Sequence, residues 1–132
     1  MIVKQTASLM QEYTQSGGVR PFGCSLLACG MDKDADGNDV PMMYQIDPSG
    51  TFFPWRATAI GKNYGTSKSF LEKRVTPELT LEDAIHTALL TLREGFEGEV
   101  TAGNVEVGVL RMDGGFKVLT REELQDYLDE AN

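Results

Sequence analysis

Tyr13-Thr14-Gln15-Ser16-Gly17-Gly18-Val19-Arg20-Pro21-Phe22-Gly23 carries the chain from a helical pattern, through a glycine pair, into an apolar extended run. Upstream, Val3, Ala7, Met10 and Tyr13 or Thr14 recur at intervals of three or four, which predicts one apolar helical stripe. Gly17-Gly18 stops that helix, because glycine adopts a left-handed cap without the clash a Cβ brings. Pro21 then sets an extended entry into a strand over Phe22–Gly30. Phe22, Cys24, Leu26 and Ala28 share one face of it; Gly23, Ser25, Leu27 and Cys29 share the other. Both faces are apolar or small, so the strand is expected to be covered on both sides, as in a sandwich or a helix-covered sheet.

Further along, Met42–Asp47 and Thr51–Trp55 flank the turn sequence Pro48-Ser49-Gly50 and read as a hairpin. Ala57–Gly61 is expected to continue its second arm beyond a kink near Pro54. A helix starting at Thr66 or Ser67 ends near Val75, ahead of Pro77. The next has Thr80 as N-cap with Asp83 three residues on, an inward stripe of Leu81, Ile85, Ala88, Leu89 and Leu92, and a stop at Gly95. Asn104–Leu110 alternates as a strand with Val105, Val107 and Val109 on one side. Asp113-Gly114-Gly115 turns it back into Phe116–Leu119. Thr120 and Glu123 form a capping box for a last helix whose Leu124, Tyr127 and Leu128 point inward. Strands and helices segregated in this order predict an α+β domain, an antiparallel sheet with helices stacked on it.

The 132 residues suit one domain spanning 1–132. The net charge of −8 argues against nucleic acid, whose phosphates need clustered Lys and Arg. No run approaches the ~20 apolar residues of a membrane span. Cys24 and Cys29 lie five positions apart in one predicted strand, too far for a disulfide, and are expected as small core residues of a protein in a reducing compartment.

Asp32-Lys33-Asp34-Ala35-Asp36-Gly37 reproduces the first half of an EF-hand loop. Its twelfth position is Met43 where a bidentate Glu is required, and its flanks are predicted strands. It therefore reads as a solvated hairpin loop, with a small calcium-binding module on Asp32–Asp36 as an alternative. His86, the single histidine, lies beside Ile85 at the rim of the helical stripe and reads as structural, since no nucleophile or second metal ligand accompanies it. Gly61-Lys62 lacks the earlier glycine of a phosphate loop, because position 56 is Arg56. Phe52, Phe53 and Trp55 read as core or subunit contact. The acidic stretches Glu94–Gly98 and Asp126–Glu130 read as solubilising or as contacts with a neighbour. No catalytic, cofactor-binding or metal-binding residue is assigned, and no cofactor is expected.

The opening block, the block Tyr44-Gln45-Ile46-Asp47-Pro48-Ser49-Gly50 with its continuation Phe53–Asn63, and Leu81–His86 with Glu94–Gly98 together resemble proteasome alpha-type subunits. The resemblance implies a truncated Ntn-hydrolase-like αββα sandwich, with only the carboxyl-terminal half represented. It implies a non-catalytic structural subunit of the proteasome core alpha ring, acting in ubiquitin-dependent degradation in cytoplasm and nucleus. Its implied partners are other alpha and beta subunits, and the regulatory particle through the assembled ring. A catalytic threonine-type beta-like subunit is the alternative within the same fold. With half of the sandwich absent, open strand edges and apolar faces predict self-association of the chain, most simply as a dimer.

Overall fold

A computed structural model describes Leu9, which is helical, and residues 25–130. The rest of the expected first helix, its Gly17-Gly18 stop and the strand entry at 22–24 lie outside the described residues, as does Cys24. Contacts gather the chain into two compact units, residues 1–56 and 57–132.

The first unit holds an antiparallel three-stranded sheet in the order β1-β2-β3, formed by β1 (Leu26–Lys33), β2 (Asp39–Ile46) and β3 (Phe52–Trp55). The hairpin around Pro48-Ser49-Gly50 forms as its turn residues predict. Asp47 N–H donates to Thr51 O at 2.9 Å and Gly50 N–H to Asp47 O at 3.0 Å. Gly50 sits at φ 88°, a left-handed conformation that a Cβ would strain. β1 extends past the expected end at Gly30 to Lys33, because pairing with β2 persists until the 34–38 turn closes it. Residues 57–61 are not strand, which corrects the expected extension of the second arm. The ladder stops at Trp55, and Pro54 sits opposite Tyr44 on the outer strand of the described sheet, where its missing N–H is tolerated. Two-sided cover of β1 is also corrected: Leu26 and Leu27 are each 41% exposed. Among the described residues of this unit only Ile46 is fully buried, 2% exposed, with Ala28, Tyr44 and Phe52 packed on it.

The second unit orders α1 (Tyr64–Arg74), α2 (Leu81–Gly95), β4 (Gly108–Leu110), β5 (Phe116–Val118) and α3 (Arg121–Glu130). α1 begins earlier than Thr66, after Asn63 at φ 62°. Asn63 Nδ2 donates to Gly95 O at 2.6 Å, tying the start of α1 to the end of α2. Thr80 caps α2 as expected, its Oγ1 accepting from Asp83 N–H at 3.2 Å. The inward stripe is different from the expected one. Ile85 and Leu89 are buried, but so are Thr87 and Thr91, while Leu81 and Leu92 are 52% and 47% exposed. Thr87, Thr91 and Gly95 follow at intervals of four, and the Gly95 end of this row meets Asn63 and Ser67 near α1. Small side chains let two helices approach, and Thr91 Oγ1 satisfies itself on Thr87 O at 2.6 Å.

Ile85, Leu89, Val100, Val109, Leu124 and Leu128 form the core of this unit. The expected strand 104–110 is shorter, only Gly108–Leu110. Its alternation survives, with Val105 and Val107 packed on the core beside buried Val109. Asn104 explains the loss of pairing: it holds a loop instead, accepting from Thr101 N–H at 2.8 Å and donating to Glu99 O at 2.9 Å.

The box that opens α3 closes in both directions. Thr120 Oγ1 accepts from Glu123 N–H, and Glu123 Oε1 accepts from Thr120 N–H, each at 3.2 Å. Glu123 Oε2 also takes Lys117 Nζ at 2.8 Å. The Lys117 bond, followed by those to Thr120, lowers the Glu123 pKa from 4.5 to about 2. Its folded pKa lies below the unfolded value, so its stabilisation is complete above about 4.5 and is lost as pH falls toward about 2. NMR titration of the Glu123 carboxyl is expected to show that depressed midpoint. Thr120→Ala is expected to raise it and to cost about 1 kcal/mol in urea unfolding.

One buried hydroxyl, Thr58 Oγ1, has no hydrogen-bond partner. An orphaned polar atom costs about 1–3 kcal/mol, so Thr58→Val, of nearly the same shape, is expected to stabilise by about 1 kcal/mol in the same assay.

Candidate functional site

Side-chain alternation gives the three-stranded sheet two different faces. Residues opposite one another across strands share a face, so Ile46, its partners Leu26 and Phe52, and the next pair Ala28 and Tyr44 lie together. This is the face that holds the buried Ile46. Tyr44 O–H donates to Asp32 Oδ2 at 2.8 Å on the same side. The Lys33 N–H and then this phenol hold the Asp32 carboxyl below its ordinary pKa, and the Asp32 bond raises that of Tyr44.

The other face carries the rows Leu27–Gln45–Phe53 and Cys29–Met43–Trp55. Phe53 is 45% exposed and Trp55 39% exposed, against the usual burial of aromatic rings. Cys29 is a free, exposed thiol, which corrects its expected place in the core. Of the aromatic cluster expected as core or subunit contact, Phe52 packs on Ile46, whereas Phe53 and Trp55 lie on the opposite face of the sheet. Gln45 Nε2 and Ser25 Oγ both donate to Asp47 Oδ1 at 2.9 Å, while Gln45 Oε1 is buried with no partner. Sequence reading quoted every one of these residues but did not see that they share a face. The signal was available in the turn, since Pro48-Ser49-Gly50 sets Gln45 against Phe53.

The second unit presents a separate set of apolar side chains. Leu81, Ala88 and Leu92 lie exposed along α2, and Phe96 just beyond it is 45% exposed. Two open clefts of about 330 and 580 Å³ border the 98–106 loop. Among the described residues that line them, the charged groups are Arg93, Glu99, Glu106 and Arg121.

The acidic loop uses its carboxylates on its own backbone. Asp34 Oδ1 accepts from Asp36 N–H and Asn38 N–H, each at 2.9 Å, and Asp32 Oδ1 from Lys33 N–H at 2.8 Å. Oxygens engaged in this way shape a hairpin turn, as expected of a solvated loop. Among the described residues no group of three or more His, Cys, Asp or Glu is placed to hold a metal ion. His86 Nε2 lies 2.9 Å from Glu130 Oε2, and its ring meets the Tyr127 ring edge-on at 5.2 Å. These contacts staple α2 to α3, and among the described residues they bring no nucleophile to the imidazole. Gly61-Lys62 precedes α1, with Lys62 Nζ 3.8 Å from the Glu97 carboxylate across an exposed surface. Of the acidic stretches, Glu97 and Glu130 are engaged in these two pairs.

Comparisons with known proteins find relatives along nearly the whole chain. The family described as Proteasome subunit matches residues 1–110. "Proteasome subunit alpha type-2" of Oryza sativa subsp. indica is 54% identical over 130 residues, covering 98% of this chain and 53% of that protein. "Proteasome subunit alpha type-2-A" of Arabidopsis thaliana is 55% identical over the same length and shares. "Proteasome subunit alpha type-2" of Drosophila melanogaster is 57% identical over 127 residues, 96% of this chain and 52% of that protein. The chain spans about half the length of the curated relatives it matches. The mixture of helices and antiparallel strands accords with the α+β, Ntn-hydrolase-like fold of that family.

Proposed function

Since the chain belongs to the proteasome subunit family, we propose that it is a non-catalytic structural component of the core alpha ring. In this reading residues 1–132 are one domain, the carboxyl-terminal half of an alpha-type subunit, with no catalytic, cofactor or metal residue assigned. Its partners are other alpha and beta subunits, and the regulatory particle through the assembled ring. Its role is ring assembly in ubiquitin-dependent degradation, in cytoplasm and nucleus. The observation that carries the proposal is the 54–57% identity to subunits named alpha type-2, sustained along 96–98% of the chain. The outward-facing apolar residues on the sheet and on α2 support it, since patches of this kind mark contact surfaces. On its own the chain self-associates. The alternatives draw less support: the Asp32 and Asp34 carboxylates already bond their own turn.

Native mass spectrometry of the chain mixed with candidate neighbouring alpha subunits tests this. Hetero-complexes, or incorporation into rings, are expected. A chain that ignores every neighbour, or that cleaves short fluorogenic peptides alone, overturns the proposal.

A further inference from the structure

We propose that Asp36-Gly37, at the tip of the hairpin joining β1 to β2, is a site of isoaspartyl formation, and that the altered chain is a substrate for a carboxyl methyltransferase using S-adenosylmethionine. The sequence holds two Asp-Gly pairs, Asp36-Gly37 and Asp113-Gly114, and each lies in an exposed hairpin turn. Their backbones are closely matched. Gly37 lies at φ 83° and Gly114 at φ 91°. Gly37 N–H donates to Asp34 O at 3.1 Å, and Gly114 N–H to Arg111 O at 2.9 Å. The two turns differ in what the aspartate side chain does. Asp113 Oδ1 accepts from Gly115 N–H at 2.8 Å, which fixes its rotation. The Asp36 carboxylate makes no hydrogen bond or ion pair among the described residues, because Asp34 supplies the acceptor for this turn. Asp34 Oδ1 takes both Asp36 N–H and Asn38 N–H. The approach to the Gly37 nitrogen is also open: nothing lies within 4 Å of where a Cβ would stand on Gly37.

Turning the Asp36 carboxyl onto the next amide breaks no side-chain bond, whereas Asp113 must first give up its bond to Gly115. Once the Asp36 carboxylate takes a proton from solvent, the Gly37 nitrogen attacks Cγ. A C–N bond forms, and one carboxyl oxygen leaves as water with that proton and the nitrogen's own. A second water then opens the cyclic imide. Where it breaks the bond from nitrogen to the Asp36 main-chain carbonyl carbon, the chain continues through Cβ and Cγ and the α-carboxylate is left free. The added methylene falls inside a turn that Asp34 also closes through its N–H on Asn38 O at 3.0 Å. That turn sets the last rung of the ladder, Lys33 opposite Asp39 with their 2.6 Å ion pair, and the rung loosens with it. The freed α-carboxylate is the group the methyltransferase esterifies, with the methyl drawn from the sulfonium donor. Loss of methanol from that ester returns the imide.

The test ages the whole folded chain at neutral pH and body temperature for weeks. It is then labelled with an isoaspartyl methyltransferase and isotopic S-adenosylmethionine, and digested with trypsin. Cleavage after Lys33, Arg56, Arg111 and Lys117 puts the two turns in separate peptides, 34–56 and 112–117. Label in 34–56 is expected to exceed that in 112–117 about fivefold, the weight of one exposed hydrogen bond. Aged as synthetic fragments, the two peptides are expected to label at similar rates, since the Gly115 bond is then gone. Asp36→Glu, whose longer side chain closes such a ring poorly, is expected to clear the label from 34–56 and so to exclude Asp39 and Asp47. It disturbs no described side-chain bond, so the hairpin is retained. Equal labelling of the two folded turns, more label at Asp113, or none in 34–56 would overturn the assignment. So would label that survives Asp36→Glu. A fivefold preference that persists in the fragments overturns it as well, because the neighbouring residues and not the fold would then select Asp36.

Discussion

Leu89→Ala lowers the unfolding free energy by about 3 kcal/mol, while Leu92→Ala on the same helix changes it by less than about 0.5 kcal/mol. Both leucines belong to the apolar stripe that periodicity assigns to α2, and an identical truncation separates them by burial alone. Leu89 is 2% exposed and belongs to the core cluster with Ile85, Val109, Leu124 and Leu128. Removing its three outer carbons forfeits their transfer free energy and leaves a cavity that two helices and a strand must collapse to fill. Leu92 is 47% exposed, so its truncation creates no enclosed cavity. Urea unfolding of the two variants measures the difference, read from the midpoint at unchanged slope. Equal losses would mean that α2 buries the stripe its sequence suggests and not the side observed.

That contrast marks where sequence was legible. Signals that depend on a few adjacent residues were read correctly. Thr80 with Asp83, Thr120 with Glu123, Pro48-Ser49-Gly50 and Asp113-Gly114-Gly115 each specify a local hydrogen-bond pattern, and each pattern forms. The β4–β5 turn, for example, closes with Arg111 N–H on Gly115 O at 2.9 Å. Signals that depend on a remote partner were not. Nothing in the α2 sequence states that α1 packs against small side chains, so periodicity alone selects Leu81 and Leu92 where the fold buries Thr87 and Thr91. The early start of α1 has the same origin. Asn63 is held at positive φ by a bond to Gly95, 32 positions away.

The outward sheet face was half legible. Each strand's alternation could be read, but pairing register decides which halves meet, and that information lies in the turns. Cys29 and Leu27 looked like core because their strand is apolar on both sides; burial requires a second surface, which apolarity alone does not supply.

Ile46→Ala costs about 2–3 kcal/mol, and Ile46→Val about 1 kcal/mol. Ile46 is 2% exposed and is the one fully buried side chain among the described residues of the sheet unit, packed by Ala28, Tyr44 and Phe52. Its truncation therefore strikes the centre of a small core. The Tyr44 and Phe52 rings, 6.4 Å apart and edge to face, close part of the vacancy, which places the loss toward the lower end for such a change. Trp55 sits on the same sheet and reports its unfolding through emission, whereas far-UV circular dichroism follows α1, α2 and α3, which belong to the other unit. The expected result is a Trp55 midpoint displaced to lower urea in Ile46→Ala, with the Val variant between it and the parent. If dichroism moves with emission, the two units unfold as one cooperative body; if dichroism stays at the parent midpoint, the sheet opens first and its stability is its own.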